Sequence, residues 1–271
     1  MLEFTLLGTG DVAEIPVFGC DCAVCFAAIE DPHLARLPCS AMIELLADPE
    51  SENLESENSS ARRVILLDAG LSDLHRRFQK GEIQAILQTH YHADHAQGML
   101  PLRWGKGPQV PVYGPNDVQG FADLYKNPGL LTFQKPWQHG ERRQILGLTI
   151  TALQLIHSKP TMGYLIEYGA IKIAYLTDTV GLPAETMQYL ERLWLDYLVI
   201  DCSYPPQLET PRNHNDLNMV KEITQQLNCQ QVVLTHIGHE LELWLQAPEN
   251  QAELPNNYVV SYDNMTLRLP A

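Results

Sequence analysis

The chain predicts an α/β fold of packed sheet and helix layers, and three observations carry that expectation. Short apolar runs recur along all 271 residues, several uninterrupted by polar side chains, as strands covered on both faces require. Segments with helical spacing alternate with them, the pattern of layered α/β domains. The side chains best suited to holding a metal stand where apolar runs end, the edge at which open α/β sheets build their sites.

In chain order, strands are expected at FTLL (4–7), SAMIELL (40–46), VILLD (64–68) and AILQT (85–89). They continue at LTITALQLI (148–156), GYLIEY (163–168), IKIAYLTD (171–178), YLVID (197–201) and QVVLTH (231–236). Amphipathic helical stretches fall near 71–79, 116–126, 183–194, 214–227 and 239–246, and HAQGMLPLRW after the fourth strand also reads as helical. The segment ADPESENLESENSSARR at 47–63 is acidic, serine-rich and nearly free of apolar residues. Lying between two strands, it reads as a mobile hairpin insertion within one domain spanning 1–271, not as a linker.

Hydrophobic residues make up 45% and charged ones 19%, an ordinary globular composition in a chain able to bury a sizeable core. No apolar run is long enough to span a membrane. MLEFTLLGTGD lacks the basic start and apolar middle of a signal peptide, so a cytoplasmic protein is expected. A net charge of −15 argues against general nucleic-acid binding, which draws on clustered Lys and Arg. Bound divalent cations would reverse the sign locally and leave room for an anionic substrate.

The stretch ILQTHYHADHAQG, from Ile86 to Gly98, crowds His90, His92, Asp94 and His95 onto the turn after a strand. In extended chain His90 and His92 project the same way. One histidine there would read as a solvated loop residue; four coordinating groups are what metal ligation rewards. Partners stand at other strand ends, with His157 closing TALQLIHS, Asp178 in IKIAYLTDT and His236 in QVVLTHIGH. Each alone reads as structural, and their shared placement reverses that reading.

Of six cysteines, Cys20, Cys22 and Cys25 form the CxCxxC pattern of FGCDCAVC, which in a reducing compartment reads as metal binding before disulfides. Three thiolates leave a tetrahedral zinc one ligand short, and His239 in THIGHE is the candidate fourth. Cys39, Cys202 and Cys229 read as buried or incidental thiols.

These motifs resemble the metallo-β-lactamase superfamily over nearly the whole chain: GTG at 8–10, LLDAG at 66–70, HYHADH at 90–95, then His157, Asp178 and His236 in order. The resemblance implies a four-layer αββα sandwich with a dinuclear metal site at the sheet edge. It also implies that His90, His92 and His157 hold one ion, that Asp94, His95 and His236 hold the other, and that Asp178 bridges them. Asp94 would further orient the attacking water. Imidazoles and carboxylates without thiolates suit two Mn²⁺ or Zn²⁺ ions, or iron. Two ions about 3.5–4 Å apart can lower the pKa of a shared water and clamp a phosphoryl group. No cysteine joins the second set, which argues against the common zinc β-lactamases.

Within the superfamily, GCDCAVC, RLPCSAMI, THYHADHAQGMLPLRWG, HSKPTMGYLIE, DCSYPPQLETPRNHNDLN and VVLTHIGHE are similar to the phosphodiesterases that accompany carbon–phosphorus lyase in phosphonate breakdown. Those enzymes open phosphoribosyl 1,2-cyclic phosphate to ribose 1,5-bisphosphate. The resemblance therefore implies a homodimer with Mn²⁺ at the catalytic site, one structural Zn²⁺ and a small cyclic phosphodiester as substrate. It places His214 of PRNHNDLN against the substrate as the acid that protonates the departing oxygen, a task for a group titrating near neutrality. The plain alternative for His214 is the start of a helix capped by Asn213 or Asn215. Lys159 and Arg103 are weaker candidates for meeting a distal phosphate. Competing functions are a transfer-RNA 3′-processing endonuclease, a glyoxalase-type thioester hydrolase and a non-catalytic metal-binding protein. The endonuclease needs a basic docking arm that this sequence lacks.

Overall fold

Continuous apolar strands demand cover on both faces, and the architecture supplies it. The computed structural model describes residues 2–45, 62–267 and 269. The chain first lays down β1 (Leu2–Gly8), β2 (Ser40–Leu45), β3 (Arg63–Leu67), β4 (Ile83–Leu87), β5 (Val110–Tyr113) and β6 (Leu131–Phe133) as one sheet. A second sheet holds β7 (Arg142–Ile145), β8 (Leu148–Gln154), β9 (Met162–Tyr168), β10 (Ile171–Leu176), β11 (Trp194–Asp201), β12 (Asn228–Thr235) and β13 (Tyr258–Val260). The last strand, β14 (Met265–Leu267), returns to pair antiparallel with β1.

Side-chain alternation divides each strand between two cores. On β3, Ile65 and Leu67 enter a central cluster with Phe4 and Ile43 of their own sheet and Ile150, Tyr164, Ile173, Val199 and Val233 of the other, which is the seam between the sheets. Val64 and Leu66 face the opposite way, onto α2 (Leu74–Arg77), α4 (Met99–Leu102) and α5 (Ala122–Lys126) through Leu74, Met99 and Leu124. The second sheet is covered likewise by α6 (Ala184–Leu190), α7 (Leu217–Thr224) and α8 (His239–Trp244), whose Leu190, Val220 and Leu241 pack on Leu165, Leu198 and Val232. The result is two mixed sheets flanked by helices, the expected αββα order. Among the described residues, no helix is long and apolar enough to cross a membrane.

Nine expected strands are present within a few residues of their predicted ends. The short elements β5, β6, β7, β13 and β14 were not anticipated. Pro111 interrupts β5, β7 is polar, and the other three have three residues each, too few for a period to register. The helix expected after the fourth strand is instead two single turns, α3 (Ala93–Ala96) and α4. The cysteine segment is not a plain loop: Cys22 caps α1 (Ala23–Glu30), its sulfur accepting from the Cys25 N–H at 3.4 Å. The expected insertion at 47–63 lies outside the described residues as far as 61. Arg62 already pairs with Glu44 at 2.7 Å, and Arg63 opens β3.

Candidate active site

The parallel strands run their C-terminal ends toward one edge, and the candidate ligands gather there. The turn beyond β4 carries His90, His92, Asp94 and His95, β8 leads to His157, β10 to Asp178, and β12 to His236. Close packing beneath the turn explains LLDAG: a Cβ on Gly70 would sit 1.9 Å from the Asp94 carbonyl oxygen. His236 takes a left-handed backbone, φ 56°, that aims its ring inward. Such strain in a non-glycine residue is characteristic of functional sites.

Two sets match the expected ion sites, each with one ligand atom per residue mutually within 4.8 Å: His90, His92, His157 and Asp178, and Asp94, His95, Asp178 and His236; Asp178, Asp201, His214 and His236 form a further overlapping group. Asp178 belongs to both, with its Oδ2 3.2 Å from His95 Nε2, 3.6 Å from His90 Nε2 and 3.7 Å from His157 Nε2, and its Oδ1 3.4 Å from His236 Nε2. In the first set, His90 Nε2 and His157 Nε2 lie 2.9 and 3.0 Å from the same atom, His92 Nδ1. Three nitrogen lone pairs packed that closely repel unless a cation joins them. In the second, His95 Nε2 and His236 Nε2 are buried and, among the described residues, meet only the carboxylates of Asp94 and Asp178 at 3.2–3.6 Å without a well-formed hydrogen bond, an expensive state unless a ligand occupies the space. The donor chemistry and these orphaned atoms fit a pair of divalent ions.

Groups behind the ligands orient them. Asp68, fully buried, accepts from His95 Nδ1–H at 2.8 Å, from the Thr89 N–H at 2.8 Å and from Gln88 Nε2 at 3.0 Å. His157 Nδ1–H donates to the Asn213 carbonyl at 3.1 Å, and His236 Nδ1–H to Ser203 Oγ at 3.0 Å. Each contact turns the ring's Nε2 toward the site, the arrangement metal-binding histidines use. Asp201 accepts from His214 Nδ1–H at 2.9 Å and from the Ser203 hydroxyl at 2.9 Å. His214 stacks on His236 with centroids 4.7 Å apart. Asp68, Asp201 and Ser203 are not singled out in the sequence; LLDAG and the end of YLVID contain the two aspartates, and Ser203 carries no comparable local signal.

Electrostatics divide the two sets. Burial pushes His90, His92 and His157 below the usual imidazole range, aided by neighbouring histidines. Burial opposes charge on His95 and His236 too, but Asp178 and its fellow carboxylates outweigh it, holding His95 well above the usual value and His236 at about 9. In metal-free protein, His236 thus contributes stability that is fully present below pH 6.5 and is lost as pH rises through about 9. Metal loading removes this dependence, because the ions require neutral imidazoles. Tm of chelator-treated protein is expected to fall with pH across that window, and that of metal-loaded protein to hold; a stripped protein gaining stability there contradicts the assignment.

A second cluster stands apart. Cys20, Cys22 and Cys25 place their sulfurs 3.6, 3.2 and 3.4 Å from His239 Nε2, four ligand atoms in a set that could hold one ion. The Cys25 backbone N–H and His239 draw the Cys22 thiol down to about 6, while burial pushes Cys25 up to about 11, so the metal-free cluster concentrates its thiolate character on Cys22. The expected phosphate-binding cations are otherwise engaged. Lys159 pairs with Asp117 at 3.2 Å, and Arg103 donates to the Asp123 carbonyl while lying over the Trp104 ring.

Residues 63–237 match the family described as the beta-lactamase superfamily domain. An octanoyltransferase of Porphyromonas gingivalis is 26% identical over 279 residues, covering 96% of this chain and 50% of that protein. A ribonuclease Z of Methanopyrus kandleri is 28% identical over 111 residues, 38% of this chain and 39% of its own length. The chain thus spans half or less of these curated relatives. A solved diphosphatase from the PhnP family is 27% identical, with a TM-score of 0.74 over 98% of this chain and 96% of that one. The family match takes in every histidine and aspartate from His90 to His236 that the two sheets bring together, and the chain belongs to the β-lactamase superfamily, with the metallo-β-lactamase fold.

Proposed function

We propose that this chain is a metal-dependent phosphodiesterase that opens a small cyclic phosphodiester, with phosphoribosyl 1,2-cyclic phosphate giving ribose 1,5-bisphosphate. In this reading His90, His92, His157 and Asp178 hold one Mn²⁺ or Zn²⁺, Asp94, His95 and His236 share Asp178 in holding the other, and Cys20, Cys22, Cys25 and His239 hold a structural Zn²⁺. The observation that carries it is His214, stacked on His236 with its Nδ1–H tied to Asp201, so that Nε2 is the nitrogen left to face a substrate. When bound, the two ions supply Lewis acidity and an activated water.

The protein groups do the rest. Burial would lift Asp94, but His95 and His236 keep it below the usual carboxylate range. It stays ionised and can accept a hydrogen bond that orients the incoming water. Burial also works against a charged His214, and Asp201 more than compensates, raising it above the ordinary imidazole value. The proton on Nε2 passes to the sugar oxygen as the P–O bond breaks, so the leaving group departs as an alcohol instead of an alkoxide. Through its hydrogen bond to Nδ1–H, Asp201 stabilises the imidazolium and then orients the neutral ring.

His214→Ala is expected to retain near-normal metal content and to slow alkyl phosphodiester hydrolysis by roughly 100-fold or more. Nitrophenyl esters, whose leaving groups need no proton, should slow by less than about tenfold. Equal slowing of both would remove His214 from the role of acid. The likeness to the PhnP-family diphosphatase over 98% of the chain favours a second reading, a P–O–P diester as substrate. A departing phosphate also needs no acid, so hydrolysis nearly indifferent to His214→Ala would select that reading. A ribonuclease Z activity is less favoured, since 33 acidic against 18 basic residues offer RNA no basic docking arm.

A further inference from the structure

Asp11 follows the GTG turn and belongs to none of the ligand sets above. Its loop is clamped. Thr9 donates its N–H and hydroxyl to Asp263 at 2.9 and 2.7 Å, Gly10 donates to the Leu37 carbonyl at 2.8 Å, and Gly10 also bridges to Ile237. The Asp11 side chain is thereby held beside the turn that carries His236. A Cβ built on Gly238 would sit 2.4 Å from the Ser203 carbonyl oxygen and 3.1 Å from Asp11 Oδ2, so glycine there lets the Asp11 carboxylate lie close against this turn. The carboxylate lies within electrostatic reach of His236, His214 and Asp94, and of the Tyr204 hydroxyl. Tyr204 in turn packs edge-on to His214, with centroids 6.5 Å apart.

The two carboxylate oxygens are not equivalent. Oδ1 accepts the Ala13 N–H at 2.9 Å. Among the described residues no donor reaches Oδ2, and no Lys or Arg pairs with Asp11. A carboxylate next to the approach of an anionic phosphate repels it. What such an oxygen can bind well is a neutral donor, and a hydroxyl bonded to a carboxylate makes a short, charge-assisted contact.

We propose that Asp11 forms a hydroxyl subsite beside the candidate metal centre, accepting through Oδ2 a hydrogen bond from a sugar-like alcohol of the substrate and so selecting polyol phosphates over simple ones. This rests on the phosphodiesterase reading for the identity of the sugar, and its test does not depend on turnover. Manganese-loaded protein is titrated calorimetrically with ribose 5-phosphate and with methyl phosphate, two monoesters differing in their hydroxyls. Wild type is expected to bind ribose 5-phosphate at least tenfold more tightly, and Asp11→Ala to bring that ratio close to one. Asp11→Asn, which keeps an acceptor oxygen in place, should restore part of it.

A wild-type ratio near one, or an unchanged ratio in Asp11→Ala, overturns the proposal. So does an equal weakening of both ligands accompanied by loss of manganese, which would make Asp11 a support of the metal centre. Should Asp11→Ala fail to fold, the Asp11→Asn ratio decides. Absence of cyclic phosphodiester hydrolysis, with the binding ratio behaving as expected, would remove the proposed reaction and leave the subsite standing.

Discussion

Asp178→Ala is expected to lower turnover by roughly 10³-fold or more, equivalent to ~4 kcal/mol of lost transition-state stabilisation. The size follows from the residue's double membership: one carboxylate faces His90, His95, His157 and His236 at 3.2–3.7 Å and belongs to both ligand sets. Removing it leaves each set a ligand short and takes the main counter-charge from two histidines that it holds protonated in the metal-free state. Metal analysis should show the catalytic ions lost and the cysteine-bound zinc kept. Asp178→Asn, which keeps the shape and loses the charge, should behave almost as badly. A variant that retains two catalytic ions and more than a tenth of the activity would falsify the shared-ligand assignment.

For Cys22→Ala the expected loss is in stability. The sulfur does two jobs, capping α1 and facing His239 Nε2 at 3.2 Å. His239 opens α8, and α8 also carries Glu242, which pairs at 2.7 Å with the buried Arg36. Arg36 donates in turn to Thr9 Oγ1 at 2.9 Å, beside the turn that bears Asp11. Zinc at this cluster would therefore tie together α1, the first active-site turn and the segment that presents His236. Loss of the ion should cost ~3 kcal/mol, or roughly 6–12 °C in Tm. Turnover per folded molecule at 25 °C should change by less than about threefold, because no atom of the cluster belongs to the dinuclear sets. An unaltered Tm with zinc still bound to the variant would rule out the structural role, and an activity loss without a stability loss would move the cluster into the catalytic machinery.

Much of the architecture is legible in the sequence because it rests on local order. VILLD and QVVLTH are apolar on both faces, and two core clusters do receive their alternate side chains. Where the local signal is weak, as in the three-residue strands β6, β13 and β14, pairing with a neighbour creates the strand, and no period marks it. The helical reading after the fourth strand overlooked Gly98 and Pro101, which separate and shorten the two turns α3 and α4.

The candidate site divides along the same line. The amino-acid order alone determined which groups could coordinate and that each follows an apolar run, since residue chemistry and short-range pattern are properties of the chain itself. Only the tertiary structure decided that Asp201 restrains His214, that Asp68 orients His95, and that Asp117 occupies Lys159. It also brought Asp11 against Gly238. These contacts span from 13 to 227 residues of chain and depend on sheet register at the scale of a single hydrogen bond, a precision that arises when strands pair and the two sheets pack, and that no stretch of sequence carries by itself.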